Sequence, residues 1–92
     1  MASAPWQTML IAMSRFVLEH SHTAAECGAV FAAFNAFDSP LRGQATTASC
    51  HYGDHRIWWE VEAASATAAL AQLPRYVAER TSASRVRPVD IP

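Results

Sequence analysis

Histidine and cysteine residues near the ends of two predicted strands have the types and spacing of a transition-metal site. The candidate ligands are His20, His22, Cys27 and His55. Imidazole nitrogen and thiolate sulfur are the donors that Zn²⁺ and Ni²⁺ favour in proteins. The predicted strand pairing places His20 opposite His55, and the predicted turn at Gly53-Asp54 places Cys50 opposite Ile57 on the same face. His22 continues that face, and Cys27 begins the helix that covers it. The sequence therefore suggests Zn²⁺ or Ni²⁺ as a cofactor.

The same residues also have a structural interpretation. No CxxC or HxxxH pair places two ligands on one element, which is the spacing that known metal motifs use. Histidines at strand ends are commonly solvated, and Cys27 and Cys50 could be small core residues. A nucleophilic role for Cys27, at a helix N-terminus where the pKa of a thiol falls, lacks an Asn or Asp to orient His22.

A charged sheet face around an indole is a second candidate site. Its candidate ligand-binding residues are Arg15, Arg56, Trp58 and Glu60, and its candidate catalytic residues are Glu19 and His51. A carboxylate and an imidazole beside an indole would bind an aromatic or acidic small molecule and move a proton. The alternative is that these charges form ion pairs that fix strand register at a dimer contact.

Composition limits the classes of function. At 92 residues the chain is one domain, of a size that is marginal for a monomer with three Trp and four Phe. Its 16% of charged residues is below the usual fraction of about a quarter. We therefore expect a homodimer that hides part of this surface. The net charge of −1 argues against nucleic acid and anionic membrane as partners. The absence of lysine excludes Schiff-base chemistry and a P-loop lysine.

Cellular location is also an expectation from composition. No apolar run approaches the length of a membrane span, and the first residues lack the positive charge of a signal peptide. The two cysteines are expected to be free thiols. These features favour a cytoplasmic protein that has no membrane partner.

The stretch 56–62 is the predicted central strand, because aromatic and β-branched residues crowd it without Gly or Pro. Thr23 and Glu26 form a capping box that starts the first helix. Gly53-Asp54 is predicted to be a two-residue type II′ turn. The predicted elements are strand 9–20, helix 24–37, strand 45–52, strand 56–62, helix 66–73, a turn from Pro74 through Arg80, and strand 85–91.

This βαββαβ order predicts an α+β, ferredoxin-like domain at residues 13–92, preceded by an arm at 1–12. Two helices would cover one face of a four-stranded antiparallel sheet, and the first and third strands would be its central pair. Opposite charges suggest a register for that pair. The predicted cross-strand pairs are Arg15 with Glu60, Phe16 with Trp59, Val17 with Trp58, Leu18 with Ile57 and Glu19 with Arg56.

Three segments of the second half carry a family resemblance. Residues 55–62, 69–74 and 86–89 are similar to muconolactone isomerase-like proteins, with a central strand, a short helix ending in Leu-Pro and a closing strand. The resemblance implies a small dimeric α+β barrel of ferredoxin-like protomers. The layout of residues 13–91 also resembles the ferredoxin-like nickel-binding proteins of actinobacteria. Neither resemblance supplies a catalytic motif.

The sequence is thus interpreted as a homodimeric ferredoxin-like protein that binds a small ligand or a transition metal. The first alternative is a cofactor-free isomerase or monooxygenase that uses the charged sheet face on a small aromatic or acidic substrate. The second is a structural interaction module.

Overall fold

The computed structural model describes residues 13–92, which form an α+β domain. The predicted arm 1–12, including the first residues of the predicted strand 9–20, lies outside the described residues. The regular elements are β1 (Ser14–Ser21), α1 (Cys27–Ala33), β2 (Thr47–Ala48), β3 (Arg56–Ala63), α2 (Ala66–Leu70), α3 (Arg75–Ala78) and β4 (Thr81–Val86). Short 3₁₀ turns flank α1 at Ala24–Glu26 and Phe34–Ala36, and a third, Cys50–Tyr52, precedes β3. Within residues 13–92, each helix is too short or too polar to cross a membrane.

The four strands form one antiparallel sheet in the order β2-β3-β1-β4. The prediction that the first and third strands form the central pair is confirmed. The predicted α+β class is also confirmed, and the arrangement is compatible with a ferredoxin-like fold.

The core lies between one sheet face and the helices. Alternate residues of β1 and β3 point into it, as strand geometry requires. Leu18 and Ile57 are fully buried at its centre, where each side chain contributes about 1.5–3 kcal/mol. The helical segments close it with Val30 and Val77, which are also fully buried. The other core residues are Phe16, Trp59, Val61, Ala63, Ala69 and Leu73.

The register between β1 and β3 differs from the predicted one by two residues. Leu18 lies opposite Trp59, and the pairing runs from Ser14 with Ala63 to Ser21 with Arg56, so that all eight residues of each strand are paired. The predicted register would pair only six. Because side chains alternate with a period of two, both registers bury the same faces, and the longer ladder decides between them.

This correction changes which residues face each other. The predicted pairing of His20 with His55 is wrong, because His20 lies opposite Ile57. Instead, the His22 N–H donates to the His55 carbonyl over 3.0 Å. The two predicted ion pairs form as diagonal contacts, with 3.3 Å between Arg15 and Glu60 and 3.8 Å between Arg56 and Glu19.

The predicted strand 45–52 is mostly irregular. Only Thr47–Ala48 pairs with β3, and Ala48, not Cys50, lies opposite Ile57. The predicted two-residue turn at Gly53-Asp54 is also wrong. Gly53 ends the Cys50–Tyr52 turn in a left-handed conformation, with φ 85° and ψ −4°.

The serine at position 49 explains why the strand stops. Its hydroxyl donates to the Asp54 carbonyl and accepts from the Arg56 N–H, and its own N–H donates to the Arg56 carbonyl over 2.9 Å. Side-chain hydrogen bonds of this kind compete with a strand ladder. They close residues 50–55 into a compact loop.

The helices are shorter than predicted, and the last strand is displaced. The predicted helix 24–37 consists of α1 and its two flanking 3₁₀ turns, and the predicted helix 66–73 ends at Leu70. Pro74 caps α3, which occupies the predicted turn. The last strand is Thr81–Val86 instead of 85–91. It begins earlier because α3 ends at Ala78 and the chain pairs with β1 directly afterwards. This pairing begins with the hydrogen bond that the Ser21 N–H donates to the Arg80 carbonyl.

Candidate metal centre

Four nitrogen and sulfur ligands meet at one end of the sheet. They are His22, Cys27, Cys50 and His55, and one ligand atom from each lies within 4.8 Å of the other three. Each residue is half-buried, so the cluster sits below the surface while solvent and ions can reach it. Two imidazoles and two thiols form the Cys₂His₂ ligand set of structural zinc sites.

The two histidines are held by the central strand pair. His22 directly follows β1 and His55 directly precedes β3, so the sheet register brings them to the same end. The backbone hydrogen bond between them continues the ladder by one step, and their ring centroids are 5.2 Å apart. The core that fixes the sheet therefore also fixes both imidazoles.

Cys27 is positioned by the capping box and an ion pair next to it. The Thr23 N–H donates to Glu26 Oε1 over 2.9 Å, and Arg80 Nε donates to Glu26 Oε2 over 3.0 Å. The hydrogen bond from the Thr23 backbone, followed by that from Arg80, lowers the pKa of Glu26 to about 2. The carboxylate thus stays ionised and holds the segment before Cys27 against the end of α3.

Cys50 is carried by the loop between β2 and β3. It begins the 3₁₀ turn that Gly53 ends, and the Ser49 hydrogen bonds hold the base of this loop. Its Sγ lies 3.8 Å from His22 Nε2. The fourth ligand therefore comes from a loop that is joined to the sheet through Ser49 and the two residues of β2.

The separations of the ligand atoms fit a tetrahedral ion. With Zn–N near 2.0–2.1 Å and Zn–S near 2.3 Å, tetrahedral ligands are about 3.3–3.8 Å apart. The 3.8 Å between Cys50 Sγ and His22 Nε2 already has this length, and the other separations, all within 4.8 Å, exceed this range by at most about 1–1.5 Å. A small inward movement of side chains would complete the coordination.

His20 lies behind His22 and determines its tautomer. His20 is fully buried, and its Nδ1 is 3.2 Å from the Val77 carbonyl, which can only accept. It is also 3.0 Å from Thr81 Oγ1, whose hydroxyl donates to the same carbonyl. His20 Nδ1 must therefore carry a proton, and in the neutral ring its Nε2 accepts. The His22 Nδ1–H donates to that Nε2 over 3.0 Å, which leaves His22 Nε2 unprotonated and facing Cys50.

The pKa shifts agree with this arrangement. Burial, followed by the neighbouring His22, lowers the pKa of His20, and burial followed by His55 lowers that of His22. Both imidazoles are therefore neutral at pH 7, the form in which a ring nitrogen can bind a metal. Burial, followed by Cys27, raises the pKa of the Cys50 thiol. Metal binding at pH 7 must therefore displace the Cys50 proton.

One nitrogen of His55 is buried without a partner. Its Nδ1 makes no hydrogen bond within the described residues, whereas buried polar atoms are normally paired. Metal coordination at the cluster would account for an imidazole held in this environment.

Three of the four metal ligands predicted from the sequence lie in the cluster, and the fourth lies next to it. The structure brings His22, Cys27 and His55 together, places His20 one hydrogen bond away from the ligand cluster, and adds Cys50. The sequence placed Cys50 on the same sheet face as the candidate histidines. It was not predicted as a ligand, because residues 45–52 were expected to form a continuous strand.

The charged sheet face contains five of the six residues of the second candidate site. The Trp58 Nε1–H donates to Glu19 Oε1 over 3.0 Å, and Arg56 lies near the same carboxylate. One groove on this face, lined by Arg15 and Glu60, is open to solvent. The sixth residue, His51, is exposed on the Cys50–Tyr52 turn. Glu19 is thus engaged in structural contacts of the kind that hold strand register.

Comparison with models of known protein families, with curated proteins and with solved structures finds no match.

Proposed function

We propose that this protein binds one Zn²⁺ per chain, through His22, Cys27, Cys50 and His55. The observation that carries the proposal is the convergence of two imidazoles and two thiols, from four separate places in the chain, within 4.8 Å. The tautomer of His22 supports it, because the nitrogen that faces the cluster has a free lone pair.

Zinc is preferred over nickel because of the ligand set. Tetrahedral sites with two sulfur and two nitrogen ligands favour zinc, whereas Ni²⁺ favours square-planar nitrogen and oxygen ligands. Two thiolates also neutralise the charge of a divalent ion, so a half-buried complex carries no net charge. Four protein ligands leave no open position for a substrate, which is typical of a structural site and not of a catalytic one.

Zinc binding would fasten the loop that carries Cys50 to the central strands. The ion would link the end of β1, the start of α1 and the start of β3 to this loop. Binding free energy at such a site adds to folding free energy. The proposed role is therefore metal binding that stabilises the fold.

The experiment is metal titration of protein purified without a His tag and kept reduced. One equivalent of Co²⁺ is expected to give the intense visible bands of a tetrahedral site together with sulfur-to-metal charge transfer. Zn²⁺ should displace it, and Ni²⁺ should bind more weakly. Isothermal titration in two buffers of different ionisation enthalpy should also show proton release on binding.

Matched substitutions locate the site. Cys27→Ser, Cys50→Ser and His22→Asn are each expected to weaken Zn²⁺ binding by more than about 100-fold, since loss of an outer-shell partner alone costs 10–100-fold. His51→Asn is the control, because His51 is the exposed neighbour of Cys50. Wild-type protein that binds no stoichiometric zinc, or equal losses in His51→Asn and His22→Asn, would contradict the proposal.

The dimeric barrel is a further part of the proposal. The sheet face that carries Trp58 lies opposite the helix-covered core, and a second ferredoxin-like protomer would cover it. Sedimentation equilibrium is expected to give twice the 10.0 kDa chain mass, and Trp58→Glu should give the single chain mass. A wild-type protein that sediments as one chain would exclude the dimer without affecting the zinc site.

A further inference from the structure

The two thiols of the cluster are the only cysteines of the chain, and each has the other as a neighbour. Their sulfur atoms lie within 4.8 Å, although 22 residues separate them in sequence. A disulfide requires an S–S distance of about 2.05 Å, so the sulfurs must approach by less than about 3 Å. The chain contains no other thiol that could compete for either one.

The environment favours movement of Cys50 toward Cys27. Cys27 is held by α1 and the Glu26 contacts, whereas Cys50 lies in an irregular loop next to a strand of two residues. Both thiols are half-buried, so a small oxidant can reach them.

We propose that Cys27 and Cys50 form a reversible disulfide within the chain when they meet a peroxide, and that this disulfide and Zn²⁺ exclude each other. The second half of this inference rests on the proposed zinc site, whereas disulfide formation does not.

The chemistry balances with hydrogen peroxide as the oxidant. One thiolate attacks the O–O bond, which breaks to give a sulfenic acid and hydroxide. The second thiolate attacks the sulfenic sulfur, forms the S–S bond and expels hydroxide. In total, two thiols lose two electrons and two protons, and one peroxide becomes two waters. From the zinc form, the ion leaves as Zn²⁺ and two protons are taken up from solvent.

The first measurement uses metal-free protein and therefore does not depend on zinc. After brief treatment with hydrogen peroxide, both thiols are expected to disappear together in a thiol assay. The intact mass should fall by two hydrogens, the chain should run as a monomer on a non-reducing denaturing gel, and dithiothreitol should restore both thiols. Cys27→Ser and Cys50→Ser should each instead yield a sulfenic acid that dimedone traps. His51→Asn, which changes the exposed neighbour of Cys50 and keeps both cysteines, should form the disulfide as the wild type does.

The second measurement follows zinc with a chromogenic indicator. Peroxide should release bound Zn²⁺ in parallel with thiol loss, and the oxidised protein should bind zinc more than about 100-fold more weakly, because two ligands are gone. Retained thiols, sulfinic acids or disulfides between chains in the wild-type protein would overturn the inference. If reduced protein does not bind zinc, the proposed function is wrong. The thiol assay on metal-free protein would still show whether the disulfide forms.

Discussion

Replacing His20 tests whether the buried imidazole acts on the metal centre through His22. In His20→Leu, the His22 Nδ1–H loses the acceptor that lies 3.0 Å away. An outer-shell partner of a ligating histidine typically contributes 10–100-fold to metal affinity. We therefore expect zinc to bind His20→Leu 10–100-fold more weakly than wild type, which is about 1.4–2.7 kcal/mol.

The cost to the metal-free fold should be smaller. The Val77 carbonyl keeps the hydrogen bond from Thr81 Oγ1 at 2.7 Å, so no backbone acceptor is orphaned. The lost hydrogen bonds contribute about 0.5–1.5 kcal/mol each, and a buried leucine offsets part of the loss. A net loss of about 1 kcal/mol would lower the Tm of a domain of this size by about 4–8 °C.

Two further variants separate positioning from general destabilisation. In His20→Gln, the side-chain carbonyl reaches the former place of Nε2 and can accept from His22, so zinc affinity should recover to within a few-fold of wild type. Ile57→Val lies opposite His20 in the sheet and removes one buried methyl. It should cost about 0.5–1.5 kcal/mol of stability and leave zinc affinity unchanged.

The assay is competition for zinc against a chelating indicator, paired with urea unfolding of metal-free protein. The reasoning would be refuted if His20→Leu bound zinc as tightly as wild type. It would equally be refuted if Ile57→Val weakened zinc binding to the same extent, because the effect would then follow stability and not the hydrogen bond.

Three other predictions follow from the same contacts. Free Zn²⁺ at 100 times its Kd should stabilise the protein by about 2.7 kcal/mol and raise its Tm by roughly 10–20 °C, and a chelator should reverse the change in a thermal scan. Folding lowers the pKa of His20, so as pH falls the unfolded chain binds a proton at this residue before the folded chain does. The metal-free protein should therefore lose stability as pH falls below about 6.5. Urea midpoints measured across this pH range should fall less steeply for His20→Gln than for wild type. In the background of Trp58→Glu, where this face is expected to stay open to solvent, the ion pair between Arg15 and Glu60 should show a coupling below about 1 kcal/mol in a double-mutant cycle. A larger coupling in the wild-type background is expected if the proposed second protomer covers this face.

The sequence predicted the parts of the fold that have a local sequence pattern, such as the two-residue alternation of a strand or the capping box of a helix. The alternation around Trp59 located β3 and its buried face, and the capping box located the start of the first helix. The last strand was predicted too late in the chain, at 85–91, because Thr81–Val86 consists of small and polar residues with one terminal valine. Its place is set by the end of α3 and by pairing with β1, and neither is visible in local composition.

The metal cluster was predicted in part because its histidines depend on strand register. The predicted register, chosen to place opposite charges across from each other, is two residues away from the one that pairs both strands fully. Charge does not distinguish the two registers, because the same two ion pairs also form between diagonal neighbours. That shift placed His20 opposite His55, whereas the actual register places His22 there. The position of Cys50 depends on a loop that is shaped by the side-chain hydrogen bonds of Ser49, and such bonds have no simple sequence pattern.

The connection between α1 and β3 gives an independent reason for a metal at this position. Residues 37–55 contain only one 3₁₀ turn and a strand of two residues, and irregular connections of this length are uncommon in compact domains unless they have a function. A domain of 92 residues also has limited apolar surface to hold such a segment. The segment contributes Leu41 to the edge of the core and Ser39 to a hydrogen bond with the Gln72 carbonyl, but both lie near its beginning. Near its other end the backbone is held to β3 through Thr47–Ala48 and Ser49, and no hydrophobic residue among 42–55 belongs to the core or packs against it. A zinc ion bound by Cys50 would supply there the attachment that hydrophobic packing does not, so loss of Cys50 should loosen this end of the connection.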